Sequence, residues 1–422
     1  MPIVLDTNEP AIVRGIKTVG VGKKGSKSLS EDLAREILED LKAGKVSPAA
    51  RGAFFAGLLA KGIEPQEEIL AEAFAPGIFQ DPHRLVEAIA ADAPDFVRWI
   101  CTQLINGHTL DKQTAYDLGK FLFSKEPGDS ARGLVASFLR VRYETHDEYE
   151  GIWQAMQETI TPAFRQPTPL GQPIVQLAEP FDGNDHSYMI TPVIANHVQS
   201  LGYRVIHMVG RNSGPKLVFN LLDVAKLLPS TFVKENNDLV QPKPQYGWFF
   251  HQQDISAAVD HWVNLRRQTI KRPFLSTLEK FIKPIDAQII ITSAFHPPYG
   301  EKMTVIAERA GFPGIMVIRN GIEGSMAFPL KRPAKILLSA RQQDGSYMRH
   351  EITLDVESLL GQTPAMEETR DQLSPQENAR LITAYTQKGS SGDEWFDLRV
   401  KATCEGFDQG LKWLKEYTYG LG

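Results

Sequence analysis

Residues 29–67 read LSEDLAREILEDLKAGKVSPAARGAFFAGLLAKGIEPQE, and residues 110–148 read LDKQTAYDLGKFLFSKEPGDSARGLVASFLRVRYETHDE. Laid over each other at a fixed offset of 81 residues, with no gap, the stretches share eight identities: Leu29/Leu110, Ala34/Ala115, Leu41/Leu122, Ala50/Ala131, Arg51/Arg132, Gly52/Gly133, Leu58/Leu139 and Glu67/Glu148. Roughly two or three are expected by chance at ordinary residue frequencies. The apolar spacing agrees: Ala34, Ile37 and Leu41 in one copy, Ala115, Leu118 and Leu122 in the other, each set on one helix face. A solenoid needs about three stacked units, so two copies predict a duplicated helical module rather than a repeat array.

Local signals support helices throughout this region. Ser30 sits where an N-cap belongs, with Glu31 and Asp32 in the first turn. Gly44 closes that helix, Ser47-Pro48 opens the next, and Gly62 stops it. One further helix is expected around Leu85–Ile105, between the copies. Glu148, Glu150 and Glu158 read as a solvated helix face.

A chain of 422 residues exceeds one ordinary hydrophobic core, so two or three lobes are expected. Apolar residues at 42% and charged residues at 23% fit a soluble globular protein. No stretch approaches the roughly 18 uncharged apolar residues of a membrane span. The start, MPIVLDTNEP, lacks a basic leader and an apolar core, so no secretory signal is read there. Cys101 and Cys404 are too few for a disulfide framework or a cysteine-rich metal site, and a cytoplasmic location is expected. The formal net charge of −5 disfavours a surface built wholly for nucleic acid. Two local basic clusters remain: Lys17, Lys23, Lys24 and Lys27 among glycines, and Arg266, Arg267, Lys271 and Arg272. Each reads as a solvated arm or helix end, or else as a phosphate-contacting patch.

From Thr161 the texture changes. Thr161–Pro173 is rich in proline and marks a boundary. Beyond it, short β-branched runs (Ile174–Leu177, Val205–Val209, Ile289–Thr292, Ile315–Ile318 and Ile336–Leu338) alternate with helical patterns such as Ile190–Leu201 and Met303–Ala310. That order predicts an α/β domain with a mostly parallel sheet. Tyr347–Leu354, after the Asp344-Gly345 turn, is expected as an antiparallel edge strand. Trp248-Phe249-Phe250 reads as core. The division expected is 1–80 for the first helical module with its basic arm, 81–165 for the second, and 166–422 for the α/β domain.

The second copy is followed by Phe181-Asp182-Gly183-Asn184-Asp185, a helix, His207 to Gly210, and in the tail Ser374-Pro375-Gln376-Glu377-Asn378-Ala379. In that order these resemble anthranilate phosphoribosyltransferase. The chain is closer still to that enzyme's divergent paralogues, some of which bind nucleic acid. Their features are matched by Gly15-Ile16-Lys17-Thr18-Val19-Gly20 through Lys23-Lys24-Gly25, by Thr277-Leu278-Glu279-Lys280, by His296-Pro297, and by Arg319-Asn320-Gly321-Ile322-Glu323-Gly324. The resemblance spans nearly the whole chain except one helical module. It implies a phosphoribosyltransferase-like fold, with segments around Ile255–Lys283 folding back to the helical region. It also implies phosphoribosyl diphosphate or a similar anionic donor, Mg²⁺, and homodimerisation through the helical region. The duplicated module offers an alternative to the last point, in which an internal copy replaces the partner.

The chemistry implied, ribosyl phosphate transfer, passes through an oxocarbenium-like carbon as pyrophosphate leaves. The protein must hold both reactants and neutralise the leaving charge, with no nucleophile of its own. Where the family carries a glycine-rich Gly-Thr-Gly-Gly-Asp phosphate loop, this chain has Asp182, Gly183 and Asp185, with one glycine. A strand-to-helix turn capped by Asp185 or Ser187 is the alternative reading. His207, Gly210, Arg211, Ser213 and Lys216 form the second expected donor-binding set. The resemblance places Arg272 and His296 at the acceptor. Glu323 stands for an adjacent Asp-Glu pair that holds Mg²⁺ in the family. As a second function class, Lys23, Lys24, Lys27, Arg266 and Arg267 would carry nucleic acid on the same fold. No P-loop, Cys-x-x-Cys or Gly-x-Ser-x-Gly motif is present.

Overall fold

The computed structural model describes residues 8–20, 25–166, 171–214, 216, 218–319, 321–331, 333–361 and 373–421. Lys23, Lys24 and Asn320 lie outside the described residues. The chain forms two compact units: Met1–Met156 with Ser213–Pro215 and His261–Ser276, and Gln157–Asn212 with Lys216–Asp260 and Thr277–Gly422.

The first unit is helical. Its elements are α1 (Ala11–Val19), α2 (Glu31–Lys42), α3 (Pro48–Lys61), α4 (Pro82–Ile89), α5 (Asp95–Ile105), α6 (Lys112–Leu122), α7 (Asp129–Arg142) and α8 (His146–Gln157), with a 3₁₀ segment at Pro65–Ala73. The Ser30 side chain caps α2 by accepting from the Leu33 N–H, and Asp111 caps α6 through Thr114 in the same way. The single helix expected over Leu85–Ile105 is two, because Pro94 cannot donate within a helix and restricts the residue before it. Trp262 fixes His261–Ser276 to this unit by donating its indole N–H to the Leu122 carbonyl at 2.9 Å.

Backbone contact dominates the centre of this unit. A Cβ on Gly52 would lie 1.8 Å from the Ser130 carbonyl oxygen, and one on Gly133 would lie 2.1 Å from that of Ala49. Only glycine permits α3 and α7 to touch so closely. Two glutamates are wholly buried nearby. Glu67 accepts from the N–H groups of Leu29 at 2.8 Å and Glu64 at 2.9 Å, and pairs with Lys61 at 2.7 Å. Glu148 accepts from Leu110 at 3.0 Å and Thr145 at 2.8 Å, and pairs with Arg142. Glu148 therefore does not belong to a solvated face: its carboxylate satisfies backbone donors that the helix starts leave open.

The second unit is built on an eight-stranded sheet. Its strands are β1 (Ile174–Ala178), β2 (Arg204–Val209), β3 (Thr231–Phe232), β4 (Trp248–His251), β5 (Ile289–Ala294), β6 (Gly314–Arg319), β7 (Ala334–Arg341) and β8 (Tyr347–Leu354). Their order is β3-β4-β2-β1-β5-β6-β7-β8. Pairings from β3 to β6 are parallel, while β6–β7 and β7–β8 are antiparallel. The expected antiparallel edge is thus β8, and the mostly parallel α/β sheet stands. Trp248-Phe249-Phe250 is buried as expected, but as strand β4. The helices from residue 191 onward are α9 (Thr191–Ser200), α10 (Leu221–Ala225), α11 (Gln252–Ile255), α12 (Ala257–Thr269), α13 (Leu275–Leu278), α14 (Pro297–Arg309), α15 (Val356–Leu360), α16 (Pro375–Lys388) and α17 (Glu394–Tyr417). Strands β1 and β5 are buried along their whole length, which explains their near-continuous apolar sequence.

Replacing Glu148 by Ala strands the Arg142 guanidinium and two backbone N–H groups. A loss of about 3 kcal/mol is expected. Urea unfolding followed by circular dichroism measures it, and Glu150→Ala, at a residue that is not buried, serves as the control with little change.

Candidate anion site at the carboxyl ends of the parallel strands

The strand order reverses between β1 and β5: the chain runs from β1 towards β2 on one side and from β5 towards β6 on the other. Open α/β sheets bind ligands in the crevice at such a reversal, outside the carboxyl ends of the strands. Here the loops after β1, β5 and β6 meet. A Cβ on Gly324 would sit 3.7 Å from Phe295 Cβ and 3.9 Å from Pro180 Cγ. The Ser293 hydroxyl also donates to the Gly324 carbonyl.

The loop after β1 is shaped by Gly183. Its φ of +77° is left-handed, and a Cβ would stand 2.3 Å from the Phe219 carbonyl oxygen, so no other residue fits. Asn220 fastens this loop to the one after β2. Its buried amide donates to the carbonyls of Phe181 and Gly210, both at 2.9 Å, while its Oδ1 caps α10. Gly210 is required for space, since a Cβ would be 2.6 Å from the Phe181 ring.

Glu323, in the loop after β6, reaches into this assembly. Its carboxylate accepts from the backbone N–H of Asp185 at 3.0 Å, that of His186 at 2.9 Å and the Ser187 hydroxyl at 3.1 Å. Lys216 Nζ lies 2.6 Å from its other oxygen. Two successive backbone N–H groups, a hydroxyl and an ammonium form an anion-binding concavity. Glu323 adopts φ 52° and ψ 15°, a left-handed conformation uncommon for a residue with a Cβ. Burial raises its pKa, but the Lys216 ammonium and the His186 N–H outweigh burial, leaving it below the ordinary carboxylate value. Its contribution to stability is therefore present at neutral pH and is lost as pH falls through that lowered value.

Beneath the crevice, immediately after β1, Glu179 is buried and accepts from the Met326 N–H at 3.3 Å. Burial pushes its carboxyl up to about 7, against the opposing pull of the Met326 N–H, the Thr191 hydroxyl and the Lys280 charge. Lys280 itself donates to the Ser293 carbonyl at 3.1 Å.

The expected site residues separate in space. Gly183, Asp185, Lys216 and Glu323 come together. Asp182, half-buried, lies in the same loop as Gly183. His207 does not join them: it is buried in β2, stacked on Phe249 at 4.3 Å and bonded to the Tyr246 carbonyl, and burial depresses its pKa to about 4. Arg211 is committed to Asp260, with contacts of 2.7–3.1 Å. Ser213 is buried and groups with the helical unit. His296 is exposed at the start of α14, edge-on to Phe295. Arg272 is exposed on the helical unit, as are Lys27 and Arg267. Arg266, expected on a cationic surface, is only 2% exposed and donates to the Ser276 hydroxyl at 2.8 Å, so it faces protein rather than solvent. Glu323, expected as a Mg²⁺ ligand, faces four hydrogen-bond donors, one of them cationic; these residues do not fit a metal ion. Among the described residues no group of three His, Cys, Asp or Glu side chains stands ready to hold one. The sequence reading missed His186 and Asn220, and it named Ser187 only as a helix cap, whereas the helix that follows starts after Ile190 without a side-chain cap and the Ser187 hydroxyl donates to Glu323. The N-cap position of Asn220, three residues before Asp223, was the available signal for that residue.

A carboxyl raised in the folded state stabilises fully below its unfolded pKa, and that stability is lost as pH rises through the folded value. Glu179 is therefore expected to remove stability as pH rises from about 5 to about 7, opposite in sign to the gain from His207, whose folded value of about 4 lies below its ordinary one. Glu179→Gln should flatten this slope in a pH series of thermal melts.

No protein-family model matches the chain. An uncharacterised protein of Aquifex aeolicus (strain VF5) is 23% identical over 231 residues, covering 55% of this chain and 69% of that protein. Among solved structures, anthranilate phosphoribosyltransferase from Thermus thermophilus matches with a TM-score of 0.50 at 16% identity, over 76% of this chain and 97% of that one. The enzyme from Saccharomyces cerevisiae in complex with PRPP and Mg gives 0.53 at 12% identity, over 76% and 97%. At such identities the likeness concerns architecture, and chemistry is argued from the site. In its helical first unit and its eight-stranded, mostly parallel second, this chain has the fold of the anthranilate phosphoribosyltransferases.

Proposed function

We propose that the chain is a phosphoribosyltransferase-like protein that binds a diphosphorylated sugar of the phosphoribosyl diphosphate class, with its own Glu323 carboxylate competing for the site. The observation that carries this reading is the donor set around Glu323. Asp185 N–H, His186 N–H, the Ser187 hydroxyl and Lys216 converge on one carboxylate, 2.6–3.1 Å away. A phosphate oxygen takes the same donors as a carboxylate oxygen. The solved yeast enzyme of this fold in complex with PRPP and Mg supports the ligand class.

In a transfer reaction this cradle would hold the leaving diphosphate, and Lys216 would offset the charge it develops. Glu323 has to leave first, so donor binding carries the cost of displacing it, and turnover below that of an unobstructed site follows. No step is assigned to Mg²⁺, since Glu323 faces donors rather than an open coordination position.

Calorimetric titration with phosphoribosyl diphosphate, and separately with inorganic pyrophosphate, each with and without Mg²⁺, tests the reading. Glu323→Gly vacates the cradle and suits the left-handed backbone. It should bind pyrophosphate about tenfold more tightly than the natural chain, and Lys216→Ala about tenfold more weakly. Thermal melts confirm that both variants fold. Absence of binding by every variant overturns the proposal, and a salt-dependent gel-shift with single-stranded nucleic acid then tests the other function class.

A further inference from the structure

The contacts at the centre of the helical unit are reciprocal. Gly52 in α3 meets Ser130 in α7, and Gly133 in α7 meets Ala49 in α3. Ser130 is Ala49 advanced by 81 residues, and Gly133 is Gly52 advanced by 81. Residue i of one copy thus touches residue j of the other, and j of the first touches i of the second. A two-fold axis between identical surfaces produces this pattern, whereas packing of unrelated helices has no reason to.

A second observation is independent of the helix crossing. Glu67 and Glu148, also 81 residues apart, are both fully buried and make the same three kinds of contact. Each accepts from the N–H preceding its own module's first helix, Leu29 or Leu110, and from the N–H three residues before itself, Glu64 or Thr145. Each also pairs with a cation six residues before it, Lys61 or Arg142. The flanking helices correspond too: α1 packs on α2 and α3, and α5 packs on α6 and α7. The copies share an architecture and not merely a set of identities.

We propose that the helical unit is an intramolecular counterpart of a two-fold homodimer, in which α3 and α7 face each other across a pseudo-two-fold axis. The surface by which one module would recruit a second chain is covered by the other module of the same chain. The partner for this face is therefore internal, and the protein does not dimerise through it.

Sedimentation equilibrium on the full chain, from about 1 to 100 μM, reads the outcome alongside thermal melts of Gly52→Ala and Gly133→Ala. A single-chain mass near 47.1 kDa is expected at all concentrations. Each added methyl collides with backbone, so both variants should melt lower by about 5 °C or more, to similar extents. The exposed Glu39→Ala should leave the melt unchanged. A dimer that dissociates in either glycine variant would overturn the proposal, because the face would then join separate chains. A wide inequality between the two glycine variants would overturn it also, by removing the two-fold equivalence. A dimer untouched by both variants, with equal melting shifts, forms elsewhere and supports the internal pairing.

Discussion

One carboxylate holds together the loops at the carboxyl ends of the parallel strands. Parallel strands all finish on the same edge, and the loops leaving them carry backbone N–H groups with no strand or helix partner of their own. Asp185, His186 and Ser187 present such donors after β1, and Lys216 brings a full positive charge to the same spot. Left unanswered, these donors would repel each other and pay full desolvation wherever they are buried. Glu323 answers all of them, and its left-handed backbone is the strain accepted in return. Pro180, Phe295 and the Asn220 amide fix the surroundings, so the electrostatic closure and the loop conformations are a single arrangement.

Much of the fold was legible in residue patterns because it rests on local signals. Five of the eight strands stand out as β-branched runs between helical stretches, and β8 announces itself by the Asp344-Gly345 turn. Strand β4 does not, because Trp248-Phe249-Phe250 is apolar on both faces and lacks alternation. The pair of helices α4 and α5 merges into one in the apolar pattern, although Pro94 marks the break.

The site was legible by residue and not by pairing. Gly183, Asp185, Lys216 and Glu323 could be named from their motifs, yet Lys216 and Glu323 are 107 residues apart in the chain. No local signal says that they will meet. The same blindness explains His207, Arg211 and Arg266. Each was read as a donor to an anion because nothing near it in sequence reveals Phe249, Asp260 or Ser276 as its true neighbour. Glu148 is the mirror case, a carboxylate whose surface-like context conceals a buried acceptor.

The meeting of α3 and α7 has a bearing on how this protein can change over time. When two identical chains meet on an axis, every altered residue there is altered on both sides, and a neutral drift on one flank cannot be offset on the other. With both flanks in one reading frame, each is inherited separately. Arg51 and Arg132, 81 residues apart, differ in what they hold. Arg51 reaches across to Ser130 and to the Ile89 carbonyl, whereas Arg132 turns back to carbonyls of Phe121, Ser124 and Glu126. The glycines at the crossing make matching contacts, while the arginines beside them hold different partners.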